Sequence, residues 1–251
     1  MKMAGNTVLV IGGTSGIGRA LAEALHDRGN RIIVTGRRQA MLDQIAESRP
    51  GIIGLSLDLM EPASLSRLRD AVYAQFPELN VLIANAGVSR PEDLMSDSWK
   101  NSDAEVMIET NILGVLRATA AFLPLLRGQQ DSTIMATSSV LAFVPLASFP
   151  TYCASKAFLH SWLTSLRHQL RRTSVEVLEL SPPYVQTELT GPGQATDPRA
   201  MPVQDYVAQV MHLLEQGSHP AGELLLERDH ARRWAERDGT YTTLFSAGNP
   251  E

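Results

Sequence analysis

The chain has 251 residues, of which 44% are hydrophobic, and its formal net charge is −5 at pH 7. This length suits one large α/β domain or two small ones, and the apolar share can form a continuous core. The negative charge argues against nucleic acid or an anionic membrane as a partner, so we expect neither. The one cysteine, Cys153, excludes an internal disulfide and suits a reducing cytoplasm, which is the expected location.

Short β-branched runs alternate with longer helical patterns along the chain. The predicted strands are Thr7–Ile11, Arg31–Thr35, Ile52–Leu57, Asn80–Ala84, Ser132–Thr137, Val175–Leu180 and a last one near Gly222–Glu227. The predicted helices are Gly16–Arg28, Gln39–Ser48, Pro62–Phe76, Asp103–Leu126, Pro150–Arg172 and Val203–Gln216. This alternation indicates an α/β fold, a doubly wound parallel sheet of about seven strands with helices on both faces.

The organisation of the chain gives no reason to divide it. We find no internal repeat, low-complexity tract or linker, so residues 1–251 are expected to form a single domain. The stretch Thr190–Pro202 differs in composition, because five of its thirteen residues are glycine or proline. That composition predicts a flexible loop, residues 190–202, which we expect to contact the substrate.

A glycine-rich run follows the first predicted strand and opens the first helix. Its spacing is Gly-x-x-x-Gly-x-Gly, and glycine lets the backbone turn sharply and approach phosphate oxygens. The helix N-terminus adds free amides and a positive dipole, which suit a dinucleotide pyrophosphate. Glycines that serve only the packing of a tight turn give the same pattern, so this run alone leaves both interpretations open. The cofactor-binding residues expected here are Gly12, Thr14, Ser15, Gly16, Ile17 and Gly18.

The residues after the second strand bear on which dinucleotide binds. An acidic residue there would hold the ribose hydroxyls of NAD and repel a 2′-phosphate. This chain has Arg37 and Arg38 instead, and guanidinium groups pair with phosphate, so NADPH is expected and NADH less so. The alternative is that both arginines merely solvate the start of a helix. Asp58 either bonds the adenine amino group or caps the next helix. The other residues expected to bind the cofactor from this side are Leu59, Asn85, Ala86 and Gly87.

Tyr152 and Lys156 are separated by three residues, and Ser139 lies upstream of them. In a helix, residues at i and i+4 project from the same face, so an ammonium would lie beside a phenol. We therefore expect Lys156, together with the positive nicotinamide ring of an oxidised cofactor, to lower the pKa of Tyr152 below its usual value near 10, and Tyr152 to act as general acid and base. Ser139 can polarise the same substrate oxygen, and Ser138 competes for this role because strand alternation points only one of them at the site.

Asn111 lies inside the long predicted helix, three residues before Gly114. Asparagine and glycine both disfavour a regular helix, so we expect a local distortion there. Such a distortion can free a backbone carbonyl to hold a water that leads protons to Lys156. A polar helix residue satisfied by local hydrogen bonds is the alternative.

Together these motifs resemble the short-chain dehydrogenase/reductase family. The resemblance covers nearly the whole chain, and its Thr-Gly-Arg-Arg and Pro-Pro-x-Val-x-Thr segments are similar to the DltE-like branch. It implies a Rossmann-type fold and a role for Lys156 in binding the nicotinamide ribose. It also implies a catalytic tetrad, which comprises Asn111, Ser139, Tyr152 and Lys156. After the sixth strand the family usually has Pro-Gly, whereas this chain has Pro183 in place of the glycine. The resemblance implies further cofactor contacts from Pro182, Val185 and Thr187.

These observations predict an oxidoreductase that uses NADPH/NADP+ to reduce a small or medium apolar carbonyl compound to an alcohol, reversibly. The alternative is a nucleotide-sensing regulatory or scaffold protein that keeps the fold, although a sensor needs neither Tyr152 nor Lys156. Besides the 190–202 loop, substrate contacts are expected from Arg90, Tyr184 and the apolar segment Val140–Phe149.

Two further expectations concern partners. The helix Pro150–Arg172 carries more apolar surface than one sheet contact needs, which predicts a homodimer or homotetramer, as the family commonly forms. The six histidines show no ligand cluster along the sequence, so no metal is expected.

Overall fold

The computed structural model describes residues 1–217, 219 and 221–250. The strands are β1 (Thr7–Ile11), β2 (Arg31–Gly36), β3 (Ile53–Ser56), β4 (Val81–Ala84), β5 (Ser132–Thr137), β6 (Val175–Leu180) and β7 (Glu223–Leu224). The helices are α1 (Gly16–His26), α2 (Gln39–Ser48), α3 (Pro62–Gln75), α4 (Ser102–Ile108), α5 (Gly114–Arg127), α6 (Pro150–Leu170), α7 (Val203–Gln216), α8 (His230–Arg233) and α9 (Tyr241–Gly248).

Within the described residues, seven parallel strands form one sheet in the order β3-β2-β1-β4-β5-β6-β7. The chain winds outward from β1 in one direction and from β4 in the other. At such a reversal the connections leave the sheet on opposite sides, which opens a crevice at the carboxyl ends of the strands. The predicted doubly wound α/β sheet of about seven strands is confirmed.

The core lies in two layers, one on each face of the sheet. Side chains alternate along β1, so that Val8 and Val10 join the cluster under α1, α2 and α7. Leu9 and Ile11 join the opposite cluster, under α3, α5 and α6. Because both faces are covered, the central strands are apolar throughout rather than alternating with polar residues.

The predicted helix Asp103–Leu126 is a continuous rod made of α4, a π-helical segment at Glu109–Leu113, and α5. The predicted distortion at Asn111 is therefore confirmed. By length and composition alone, the rod Ser102–Arg127 is apolar enough to cross a membrane, with a mean hydropathy of 1.4 over its best window. In the fold, α5 packs against β4 and β5 while α4 contacts α6.

The chain after β6 departs most from the prediction. The last strand has only two residues instead of the expected six, because it pairs with β6 only opposite Glu179 and Leu180. A 3-10 turn at Glu227–Asp229 then leads into α8 and α9, which the sequence did not predict. Neither helix has a buried residue. A helix without a buried face does not need the apolar periodicity from which helices are predicted in a sequence.

Candidate active site

A cleft with a cavity volume of about 590 Å³ opens at the carboxyl edge of the sheet. It lies beside the neighbouring strands β1 and β4, where the order of the strands reverses. Most of the predicted cofactor residues line this cleft, together with the predicted acid and its lysine. They are Gly12, Thr14, Ser15, Gly16, Ile17, Arg37, Arg38, Asp58, Leu59, Asn85, Ala86, Gly87, Tyr152, Lys156, Pro182 and Thr187.

The glycine turn serves both packing and access. At Gly12, which has a φ of +80°, an added Cβ would lie 2.6 Å from the Ala86 Cα. At Gly18 it would lie 2.2 Å from the Gly12 carbonyl oxygen, so Gly18 packs the turn and stands outside the cleft lining. Ser15 precedes α1 without capping it, and the first turn of α1 has no acidic residue. The helix amides are therefore directed to the cleft without a competing carboxylate.

Arg37 and Arg38 are exposed at the cleft, and neither pairs with a carboxylate in the described part of the chain. Gly36 precedes them, and a Cβ there would lie 2.7 Å from Thr14 Cγ2. An acidic side chain at position 36 would therefore collide with the glycine turn. Asp58 lines the cleft and accepts a hydrogen bond from the Met60 amide at 2.9 Å, in the turn before α3.

Tyr152 and Lys156 lie on one face of α6, buried to 7% and 3% exposure. Lys156 Nζ donates to the Thr137 carbonyl oxygen at 2.8 Å and lies 5.6 Å from the centre of the Tyr152 ring. Burial raises the pKa of Tyr152 to about 12, against an opposing hydrogen bond from Ser139. Burial lowers the pKa of Lys156 to about 8. In the protein alone, loss of water disfavours the phenolate and outweighs the bond from Ser139. The expected fall in the phenol pKa also depends on the oxidised nicotinamide ring, so it stays a prediction.

The two adjacent serines point in opposite directions. Ser138 Oγ donates to Glu179 Oε1 at 2.6 Å. Ser139 Oγ accepts from the Leu141 amide at 3.1 Å and lies close enough to Tyr152 to lower the pKa of its phenol, against the effect of burial. Strand alternation at the end of β5 therefore assigns Ser139 to Tyr152 and commits Ser138 to Glu179.

Asn111 is fully buried behind the cleft and its amide clamps one residue of the β4–α4 connection. Its Oδ1 accepts from the Val88 amide at 2.9 Å, and its Nδ2 donates to the Val88 carbonyl at 2.9 Å and to Ser155 Oγ at 3.1 Å. A Cβ at Gly87 would lie 3.4 Å from Asn111 Oδ1 and 3.5 Å from Lys156 Nζ, so the three residues converge. The side chain is satisfied locally, and the water route to Lys156 stays a prediction.

The segment after β6 places two predicted residues, Pro182 and Thr187, in the cleft and one, Val185, behind it. Thr187 lines the cleft, where it faces Gly16. The Val185 side chain packs in the core beside α7, and its expected cofactor contact stays a prediction. Gln194, in the 3-10 turn Pro192–Thr196 of the predicted flexible loop, donates to the Val185 carbonyl at 2.7 Å and to Thr187 Oγ1 at 3.1 Å.

The surroundings of Tyr152 are apolar, as expected for the substrate side. The residues packed around it include Val88, Met107, Leu141, Leu146, Phe149 and Leu189. Arg90 lines the cleft, while Tyr184 is 43% exposed and donates to Asp197 Oδ2 at 3.1 Å. The Glu92 carboxylate accepts from the Thr151 amide and hydroxyl at 2.9 and 3.0 Å, which joins the β4–α4 connection to the start of α6.

Two residues that organise the site were not expected from the sequence. Thr137 supplies the carbonyl that holds Lys156, and its hydroxyl donates to Asn85 Oδ1 at 3.1 Å. Glu179 is a fully buried carboxylate in β6, whereas the other glutamate of that strand, Glu176, is only partly buried. A glutamate inside a strand that is predicted to be buried indicates a paired carboxylate, because charged residues are seldom buried without a partner. This signal was visible in the sequence.

The described residues bring one histidine to two carboxylates, although no cluster was expected. The ligand atoms of His160, Glu179 and Glu223 lie within 4.8 Å of one another. His160 Nδ1 is 2.8 Å from Glu179 Oε2, and Arg233 donates to both oxygens of Glu223 at 2.7 and 2.8 Å. Nitrogen donors of the protein thus already hold both carboxylates.

Comparison with known proteins gives a consistent result. The family described as short chain dehydrogenase matches residues 6–197. The chain is 37% identical to the uncharacterized oxidoreductase DltE of Bacillus subtilis, covering 100% of this chain and 99% of that one. A short-chain dehydrogenase from Sphingobium yanoikuyae, solved with NADPH, superposes with a TM-score of 0.79 at 26% identity over 96% of this chain and 95% of that one. A short chain dehydrogenase/reductase from Burkholderia phymatum, solved with NAD, superposes with a TM-score of 0.79 at 22% identity over 95% of each chain.

Proposed function

The chain belongs to the short-chain dehydrogenase family, and we propose that it is an NADPH-dependent oxidoreductase that reduces a small or medium apolar carbonyl compound, reversibly. The observation that carries this proposal is a buried phenol, Tyr152, which lies next to Lys156 at the wall of the cleft. A binding protein has no need of an acid held in this way.

The residues of the cleft fit a nicotinamide dinucleotide. The uncapped N-terminus of α1 suits a pyrophosphate, and Gly16, with a φ of +54°, leaves room beside it that only Thr187 approaches. Arg37 and Arg38 suit the additional phosphate of NADPH, since they are exposed cations without a protein partner among the described residues. Lys156 would hold the nicotinamide ribose. When bound, the cofactor supplies the hydride.

The protein's own part in the reaction is proton transfer and positioning. Tyr152 Oη gives its proton to the carbonyl oxygen as the carbonyl carbon receives the hydride, so that an alcohol forms. The Lys156 ammonium stabilises the phenolate that remains, and Ser139 Oγ hydrogen-bonds the reacting oxygen. The apolar residues around Tyr152 exclude water, which strengthens these interactions.

The test combines a panel of ketones and aldehydes with one substitution. We expect NADPH-dependent turnover of apolar members of the panel, followed by absorbance, and a loss of about 10²–10⁴-fold in kcat for Tyr152→Phe. NADPH binding, followed by nicotinamide fluorescence, should change less than about twofold. Tyr73→Phe, on the exposed face of α3, is the matched control and should leave kcat unchanged.

Two outcomes would contradict this proposal. Tight NADPH binding without turnover of any carbonyl compound would favour a nucleotide sensor. Full activity of Tyr152→Phe would remove the phenol from the reaction.

A further inference from the structure

We propose that Glu179 is a positioning residue, whose buried carboxylate holds α6 against the end of β5 so that Tyr152 and Ser139 meet. This inference rests on the proposed function, because the arrangement it maintains is that of the reacting groups. It concerns a residue that lies outside the cleft and touches neither substrate nor cofactor.

Glu179 has no exposed surface, and both of its oxygens are hydrogen-bonded. Oε1 accepts from Ser138 Oγ at 2.6 Å, and Ser181 Oγ lies 2.9 Å from the same hydroxyl. Oε2 accepts from His160 Nδ1 at 2.8 Å. One side chain of β6 thus joins β5, α6 and the segment that continues to Pro182.

The residues bound to Glu179 are direct neighbours of the reacting groups. Ser138 immediately precedes Ser139, so fixing the Ser138 hydroxyl on Glu179 directs Ser139 toward Tyr152. His160 follows Tyr152 and Lys156 at i+8 and i+4, on the same face of α6. Glu179 therefore fixes the rotation of α6 about its axis and the orientation of the serine with one carboxylate.

The surrounding charges keep this carboxylate ionised. Its burial alone would raise the pKa of Glu179, but bonds from His160 and Ser138 and the nearby Arg167 outweigh burial and lower the pKa. Arg167 also donates to the Val177 and Gly222 carbonyls at 3.0 and 3.2 Å. Glu223 is held separately by Arg233, so it does not compete for His160. An ionised Glu179 accepts two strong hydrogen bonds, whereas a neutral side chain would accept them weakly.

The experiment compares variants of Glu179 and His160 by kcat, KM, cofactor affinity and thermal unfolding. Glu179→Gln should lower kcat about 10-fold, with substrate KM and the NADPH dissociation constant within about twofold, since misplacement by a fraction of an ångström slows the chemical step. His160→Ala should cause the same loss. His160→Asn keeps an N–H donor near the position of Nδ1 and should restore most of the rate. Glu179→Gln with His160→Ala should be no slower than either variant alone.

The matched control is Glu176→Gln, a change of the same kind on the same strand, whose carboxylate binds the amino group of Met1. It should leave kcat unchanged, even if the melting temperature falls. An active wild type with an unaffected Glu179→Gln variant would overturn the positioning role alone. The positioning role would also be overturned if the losses in kcat of the two single variants multiplied in the double variant. It would be overturned too if kcat of His160→Asn were as low as that of His160→Ala. A wild type that binds NADPH but reduces no carbonyl compound would overturn the proposed function, and the positioning role with it.

Discussion

At the scale of single residues, Arg37 and Arg38 are the side chains on which the proposed preference for NADPH depends. They follow Gly36, where the glycine turn leaves no room for the acidic side chain that would favour NAD. Their exposed guanidinium groups lie at the cleft without a carboxylate partner among residues 1–217, 219 and 221–250. A bound phosphate would therefore not have to displace an existing ion pair.

Replacing these arginines should weaken NADPH binding selectively. We expect Arg37→Ser to raise the dissociation constant of NADPH about 10-fold, the value of one charge-assisted hydrogen bond, and to leave that of NADH unchanged. Arg38→Ser should act in the same direction. Fluorescence titration with both cofactors measures this, and Arg69→Ser on α3, already paired with Asp70, is the control. Tighter binding of NADH than NADPH by the wild type would contradict the assignment.

Lys156 should make stability depend on pH in a defined window. Its pKa is lowered from 10.5 to about 8 in the folded protein. Between these values the unfolded chain holds a proton that the folded protein has lost, so the free energy of unfolding rises with pH. Relative to Lys156→Met, the wild type should gain roughly 2 kcal/mol between pH 7.5 and 9.5. Tyr152 contributes in the opposite sense only above pH 10, since its pKa is raised from 10.0 to about 12.

Chemical denaturation of the cofactor-free protein at several pH values measures this difference. Lys2→Met, which removes a largely exposed lysine, is the control. Its free energy of unfolding should change with pH in the same way as that of the wild type. If the difference in the free energy of unfolding between wild type and Lys156→Met stayed constant from about pH 7.5 to about pH 9.5, Lys156 would keep its ordinary pKa in the folded protein.

At the scale of elements, the π-helical segment between α4 and α5 determines the direction of the Asn111 side chain. It places Asn111 where one amide group satisfies both the N–H and the C=O of Val88, in a connection that no strand or helix pairs. The connection that begins with Gly87 is thereby fixed against α6 through Ser155. A regular helix would give this side chain a different direction.

Asn111→Leu should be costly for stability. It removes three hydrogen bonds and leaves the backbone of Val88 without its partner, so we expect a loss of about 3 kcal/mol in the free energy of unfolding. Urea denaturation measures the loss. Asn101→Leu, at the exposed start of α4, is the control and should change stability by less than about 0.5 kcal/mol. A loss below about 1 kcal/mol for Asn111→Leu would mean that water replaces the clamp.

The sequence predicted the elements whose signals are local. β1, the glycine turn and the i, i+4 spacing of Tyr152 and Lys156 lie within short stretches, where periodicity and spacing are sufficient. Glu179 could not be understood in this way, because its partners Ser138 and His160 are 41 and 19 positions away. The burial of Tyr152, which raises its pKa in the protein alone, could not be foreseen for a related reason, since it depends on segments brought together only by the fold.

At the scale of the whole molecule, exposed apolar side chains on neighbouring helices favour self-association. Phe158 on α6 is 39% exposed, and Ile108 on α4 is 43% exposed. Because α4 and α6 contact each other, these residues offer apolar area on adjacent helices. A homodimer or homotetramer formed through these helices remains our expectation.

Sedimentation tests this expectation directly. The wild type should sediment at a multiple of the chain mass of 27.4 kDa, and Phe158→Glu should shift it toward the monomer at micromolar concentration. A charge buried without a partner at an interface is strongly unfavourable. Tyr73→Glu, a similar change on the exposed face of α3, should leave the mass unchanged. A wild type that sediments as a monomer would remove the proposed interface.

The order of the strands also has a consequence for how such a protein can diversify. Residues before Val88 build the half of the sheet that reaches from β1 to β3, together with β4, and they carry the arginines and the glycine turn. Tyr152, Lys156 and their supports come from β5, α6 and β6 in the other half. Under the proposed function, mutations that change which carbonyl compound is accepted can therefore accumulate in the later half of the gene, while the earlier half continues to bind the same dinucleotide.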